Sequence, residues 1–239
     1  MKYQIPKTFM GKQVAGSLER VLAGLNTNPP SPPQTPPLVN APNLQGYIFV
    51  PSTGLYMAKQ RTHGGLDWYK THEALQNEGL KMPTIPQFLK YLGFLQTQHN
   101  DRNEAQAILD DILKVGNYRG EWLDAKFTNE NNVLYCDYHH IFVNGELKPQ
   151  VHESLKDHLE EDCWVDFLAS ANSQGLPTQK LGSSYEQGVN SYYWHPRENR
   201  VARFVADSDW ASLNCYWVPT FVNSSLGVFA CAEGATPKI

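Results

Sequence analysis

The side chains of this 239-residue chain that could do chemistry are few: the thiols of Cys136, Cys163, Cys215 and Cys231, the imidazoles of His139, His140, His152 and His158, and the acidic run Glu160, Glu161 and Asp162. No two cysteines form a CxxC pair, which argues against a zinc ribbon or a thioredoxin-like motif. A reactive thiol needs cationic neighbours that lower its pKa. Cys215 and Cys231 lie in apolar stretches without such neighbours, so buried free thiols are expected. Adjacent histidines on a strand point to opposite faces, which separates His139 from His140. His152 and His158 are poorly spaced to share an ion on a helix. The acidic run reads as a solvated helix face. Gly64-Gly65 lacks the Lys and Ser of a phosphate loop and reads as a turn. Trp122, two residues before Asp124, reads as a core residue on a strand. The expectation is therefore no metal, no cofactor and no catalytic residue.

Composition sets wider bounds. Hydrophobic residues at 41% and charged residues at 18% describe a globular chain rather than a disordered one. A net charge of −4 gives no electrostatic footprint for nucleic acid, which needs concentrated Lys and Arg. The opening MKYQIPKTFMGKQVAG has no apolar signal-peptide core, and no run approaches a membrane span. Neither membrane insertion nor conventional secretion is expected. Aromatics at 12%, including six Trp and twelve Tyr, are rich for an ordinary domain; such residues are usually core but are also favoured interface anchors.

Three regions must position these residues. Val14, Leu18, Val21, Leu22 and Leu25 share one face of an amphipathic helix over residues 7–25. That face either folds back on the domain or joins the protein to an assembly or a neighbouring copy. The segment Asn28-Pro-Pro-Ser-Pro-Pro-Gln-Thr-Pro-Pro37 forbids helix and sheet interior and favours a stiff extended spacer. The division is thus a helical arm over 1–27, a linker over 28–45 and a binding domain over 46–239. Within that domain the spacing predicts a strand over 47–50 and helices over 66–79, 83–92, 104–115 and 153–171. Strands are expected over 120–124 and 133–143, with turns at Asn129 to Asn132 and at Asn144-Gly145, and strands with long loops follow residue 181.

The C-terminal residues are the most specific. Asn199-Arg-Val-Ala-Arg-Phe204 leads through an irregular segment to Ser224-Ser-Leu-Gly-Val-Phe-Ala-Cys-Ala232, and Met82-Pro-Thr-Ile-Pro-Gln-Phe-Leu-Lys-Tyr-Leu92 opens a helix. Together these resemble the C-type lectin fold of the formylglycine-generating-enzyme-like subtype, over residues 46–233. Its Leu-Pro-Thr helix start and its closing strand pair carry the likeness, and an α+β fold is what the resemblance implies. Within that fold the chain is similar to the variable proteins of diversity-generating retroelements, as found in archaea and their viruses. The calcium motifs of sugar-binding lectins, Glu-Pro-Asn or Gln-Pro-Asp with Trp-Asn-Asp, are absent.

Such proteins vary at positions fed by template adenines. From AAC or AAT codons this yields Asn, Tyr, Ser, Asp, Thr, Val and Phe, never Lys, Glu, Gln or Met. Residues 205–225 contain none of those four. Trp210 and Trp217 are reachable from an AGG codon. The resemblance then implies a ligand-binding surface made by Val205, Asp207, Ser208, Trp210, Ser212, Asn214, Tyr216, Trp217, Val218, Thr220, Phe221, Val222 and Asn223. Ala206, Ala211, Leu213, Cys215 and Pro219 would hold it in place, because alternation along 211–216 is that of a half-buried strand. Tyr192-Tyr-Trp-His195 would lie beneath this surface as its floor or flank it. The implied partner is a protein or cell-surface ligand, with the arm attaching a virion or larger assembly. Two other readings stay open: a thiol-dependent oxidase of the formylglycine-generating kind, whose closely placed cysteine pair Cys215 and Cys231 match poorly, and a structural virion subunit.

Overall fold

The computed structural model describes residues 8–9, 12–13, 44–97, 100–166, 168 and 170–234. The chain divides into two units, Met1–Leu38 and Val39–Ile239. In the first, β1 (Thr8–Phe9) pairs antiparallel with β2 (Lys12–Gln13). The helix expected over 7–25 is therefore not helical at its start, and its apolar positions from Val14 onward lie outside the described residues. So do residues 28–43 of the linker.

In the second unit, helix starts follow from side chains that satisfy the first free amides. Asp67 caps α1 (Trp68–Asn77) by accepting from Lys70 N at 2.8 Å. Thr84 and Gln87 form a reciprocal capping box at the start of α2 (Ile85–Thr97), with Thr84 N donating to Gln87 Oε1 at 2.9 Å. Asp101 accepts from Asn103 and Glu104 at the start of α3 (Arg102–Leu113). Among the described residues no helix is long and apolar enough to cross a membrane.

The strands β3 (Tyr47–Val50) and β4 (Leu55–Ala58) precede the helices, and β15 (Cys231–Glu233) pairs with β4, so the two ends of this unit share one small sheet. The large sheet runs in the order β10 (Cys163–Val165), β11 (Ser191–Trp194), β13 (Ala211–Trp217), β12 (Arg200–Ala206), β5 (Arg119–Glu130), β6 (Val133–Tyr138), β9 (Val151–Ser154). β14 (Leu226–Gly227) adds to β5, and β7 (Ile141–Val143) pairs with β8 (Glu146–Lys148). Asn131 and Asn132, at φ 53 and 65, close the β5–β6 hairpin, and Asn144-Gly145, at φ 54 and 82, close β7–β8. Both pairs have the positive φ values that a two-residue hairpin demands. The result is a sheet-rich α+β fold.

One expected helix is absent. Residues 153–165 form the end of β9, a loop and β10. Leu155 and Leu159 have helical spacing and both pack on the core, but groups distant in the chain take their bonds, with Leu159 N donating to Pro177 O. Gln174 Oε1 accepts from Lys156 N, and Asp162 Oδ1 accepts from His195 N.

The buried face of β12 and β13 offers Ala202, Phe204, Ala211, Leu213 and Cys215 to α2 and α3, with Phe88 5.5 Å from Phe204 between ring centroids. Gly175 lies against the start of α2 at φ 80, and a Cβ there would stand 2.6 Å from Ile85 Cγ2. Gly175→Ala is expected to destabilise by about 2 kcal/mol, from unfavourable φ plus overpacking, read as a lower denaturation midpoint at constant m-value.

Candidate recognition surface

On a strand, side chains alternate between faces, and the register across strands decides which neighbours meet. β11 lies parallel to β13 with Tyr192 opposite Ser212 and Trp194 opposite Asn214. On the other side, β12 sets Val205 opposite Ser212 and Arg203 opposite Asn214. The face opposite the core is therefore aromatic. Trp164 of β10 lies opposite Tyr192, 5.1 Å away between ring centroids.

From these strands a continuous path of ring contacts runs over the surface. Tyr185 meets Trp164, Trp164 meets Tyr192 and Trp210, Tyr192 meets Trp194, and Trp194 meets Tyr216 at 5.2 Å. Tyr216 continues to Trp217 at 5.7 Å, and Trp217 to Phe221 at 5.3 Å. All eight side chains are half-buried. Edge-on and tilted geometries dominate the path, as ring quadrupoles favour.

Cations lie along and beneath it. The Arg203 guanidinium lies 3.4 Å from the Trp217 ring centroid and donates to the Tyr118 hydroxyl. Burial lowers its pKa to about 10, well short of neutralising it at physiological pH. Arg197 stands 4.8 Å over Tyr216 and pairs with Asp162, which also holds His195.

The loops at either end are tied down. Asp207 N donates to Trp210 O across the β12–β13 hairpin, turning Trp210 back toward Trp164 and Tyr192. Beyond β13, Trp68 N donates to Pro219 O, and Asn223 Oδ1 accepts from Ser225 N at 2.8 Å.

The positions expected to recognise a partner divide in two. Asp207, Ser208, Val218, Thr220 and Val222 are exposed, and Trp210, Tyr216, Trp217, Phe221 and Asn223 half-buried. Val205, Ser212 and Asn214 are buried, at 3%, 5% and 3% exposure, so their expected exposure is corrected. Ser212 and Asn214 are short side chains on a central strand between the larger Tyr192 and Trp194 of β11 and Val205 and Arg203 of β12, and Val205 lies between Ser212 and Gly120 of β5. Of the residues 192–195, Tyr193 is core, while Tyr192 and Trp194 form part of the surface itself. Trp164 and Tyr185 escape a sequence reading because their strand and loop are distant in the chain.

The thiols are all free, with Cys136, Cys215 and Cys231 buried and Cys163 partly exposed. Burial pushes the Cys215 thiol well up and Cys231 to about 12. A maleimide reagent on the native protein is expected to label Cys163 first, with the other three protected until unfolding, as peptide mapping would show.

Among the histidines, His152 stacks on Tyr135 and bonds Asp137, while His158 bonds the Lys156 carbonyl, so the two share no partner here. His139, at φ 56, ends β6, and His140 turns inward. His140 Nδ1 lies 2.5 Å from Asp124 Oδ1, and His72 Nε2 lies 3.5 Å from the same oxygen. Burial lowers the His72 pKa to about 4, which keeps that ring neutral. The sequence places these three residues far apart, and no local spacing joins them.

Comparison of the chain with protein-family models, with curated proteins and with solved structures finds no match.

Proposed function

We propose that this chain is a partner-recognition protein that presents the aromatic face of β10, β11 and β13, with the loops flanking β13, to a protein or cell-surface ligand. The observation that carries the reading is the unbroken path of eight half-exposed rings, which ends in Trp217 and Phe221 at the rim of a second core cluster around Trp68 and Trp122. Tyr and Trp supply large contact area at low entropic cost, and Asp207, Ser208, Thr220 and Asn223 around them supply adaptable hydrogen bonds. Arg197 and Arg203 pre-order two of the rings.

The same reading takes the scaffold as a C-type lectin fold of the formylglycine-generating-enzyme-like subtype and the surface as one diversified by a retroelement. It is supported by the absence of Lys, Glu, Gln and Met from residues 205–225. Attachment to a virion or larger assembly through the N-terminal unit belongs to this reading and rests on the resemblance alone. A structural subunit would bury Trp210, Tyr216 and Trp217 against a neighbour.

Sequencing variants of the same locus is the direct test. Variation should fall on Asp207, Ser208, Trp210, Tyr216, Trp217, Val218, Thr220, Phe221, Val222 and Asn223, at codons fed by template adenines. Variation centred on Ala206, Ala211, Leu213 and Cys215 would refute it. In a complex, alanine at one or more of Trp210, Tyr216, Trp217 and Phe221 is expected to cost about 2 kcal/mol of affinity, and no loss at any of the four would do the same.

A further inference from the structure

His72, Asp124 and His140 come from α1, β5 and the turn before β7, and their ligand atoms all lie within 4.8 Å of one another. We propose that these three side chains bind a divalent transition-metal ion of the zinc class, with a further coordination position left to solvent or a small ligand. In a tetrahedral site with bonds of about 2.0–2.2 Å, ligand atoms stand about 3.3–3.6 Å apart. The 3.5 Å from His72 Nε2 to Asp124 Oδ1 already matches that edge. The 2.5 Å from His140 Nδ1 is a hydrogen bond that widens when the ion replaces its proton.

His72 supplies an independent sign. It is 5% exposed, and its Nε2 has no hydrogen bond although it stands beside a buried carboxylate oxygen. A buried polar atom left unpaired is destabilising, and a metal ion turns that nitrogen from a liability into a ligand. The surroundings suit an ordered site. The Trp68 ring meets both imidazoles edge-on, at 4.4 and 4.9 Å between centroids, and its Nε1 is anchored on the Leu123 carbonyl.

Asp124 and His140 also line a cavity of about 340 Å³ with Lys81, Gln87, Gln150 and Glu233. A bound ion would thus have polar groups next to its open position. Two imidazoles and one carboxylate select a zinc-class ion over calcium or magnesium, which require oxygen donors throughout.

The test uses the full chain, stripped with a chelator and titrated with Zn²⁺ by calorimetry. One equivalent should bind, and saturation should raise the melting temperature. Removing an outer-shell partner from a metal site weakens binding by ~10–100-fold, so loss of a ligand in His72→Ala should weaken it by at least ~100-fold. His158→Ala, whose side chain lines a separate cavity with Leu134 and His195, should bind as the unaltered chain does. If His72→Ala does not fold, Co²⁺ added to the unaltered chain should give the intense visible absorption of a four-coordinate ion, displaced by Zn²⁺. No saturable binding, equal affinity in the unaltered chain and His72→Ala, or a six-coordinate Co²⁺ spectrum would overturn the proposal.

Discussion

Glu121→Leu is expected to destabilise the protein by about 3–5 kcal/mol, because it strands a buried guanidinium. Glu121 is fully buried on β5, beside β12 and β14. Its carboxylate accepts from Arg119 Nη2, and Arg119, only 7% exposed, also reaches Asp111 at 2.7 Å. Burial outweighs the pull of Arg119 and Arg61 and leaves the Glu121 carboxyl raised to about 7. The comparison therefore belongs at about pH 8, where the carboxylate is ionised. Arg61 is drawn into the same network and donates to the Ser225 carbonyl, which links this charge cluster to the loop after Phe221. Replacing the pair together, as Glu121→Leu with Arg119→Leu, should recover most of the loss, since apolar substitutes for a buried ion pair are neutral or stabilising by about 1–4 kcal/mol. Urea denaturation of the single and double variants measures both effects. A single variant within about 1 kcal/mol of the unaltered chain would show that Arg119 finds full compensation elsewhere.

The parts of this fold legible in the sequence are those decided by near neighbours. Asn144-Gly145 and the Asn pair at 131–132 announce their hairpins because only a few residue types accept positive φ. Pro83-Thr-Ile-Pro86 announces α2, since proline suits the first turn of a helix, and the Thr84–Gln87 capping box that completes this start needs no tertiary partner. The failures occur where distant residues decide. Leu155 and Leu159 imitate a helix face, yet Gln174 and His195 bond residues of that stretch and hold it extended or looped. Alternation along β13 correctly groups Ser212, Asn214 and Tyr216 on one face. It does not reveal that the parallel neighbour β11 brings Tyr192 and Trp194 over the first two. His139 and His140 look like consecutive strand residues, but the positive φ at His139 ends the strand and sends His140 to Asp124.

Phe204→Ala should lower stability by about 3–5 kcal/mol, the range for deleting a buried aromatic ring and leaving its cavity. The ring is fully buried on the core face of β12, against Phe88. Its immediate chain neighbour Arg203 points to the other face and stacks on Trp217. A surface that tolerates diversification must be energetically separate from that core. Exposed positions far from special features change stability by about 0.5 kcal/mol or less each. A chain carrying Asp207→Ser, Ser208→Asn, Val218→Thr, Thr220→Ser and Val222→Asn together should then stay within about 2.5 kcal/mol of the unaltered protein, if the sites add. Thermal and urea denaturation of this chain beside Phe204→Ala separate the two cases. A five-site loss as large as that of Phe204→Ala would mean that the loops flanking β13 are part of the scaffold, and that this surface is too strongly coupled to the core to be varied freely.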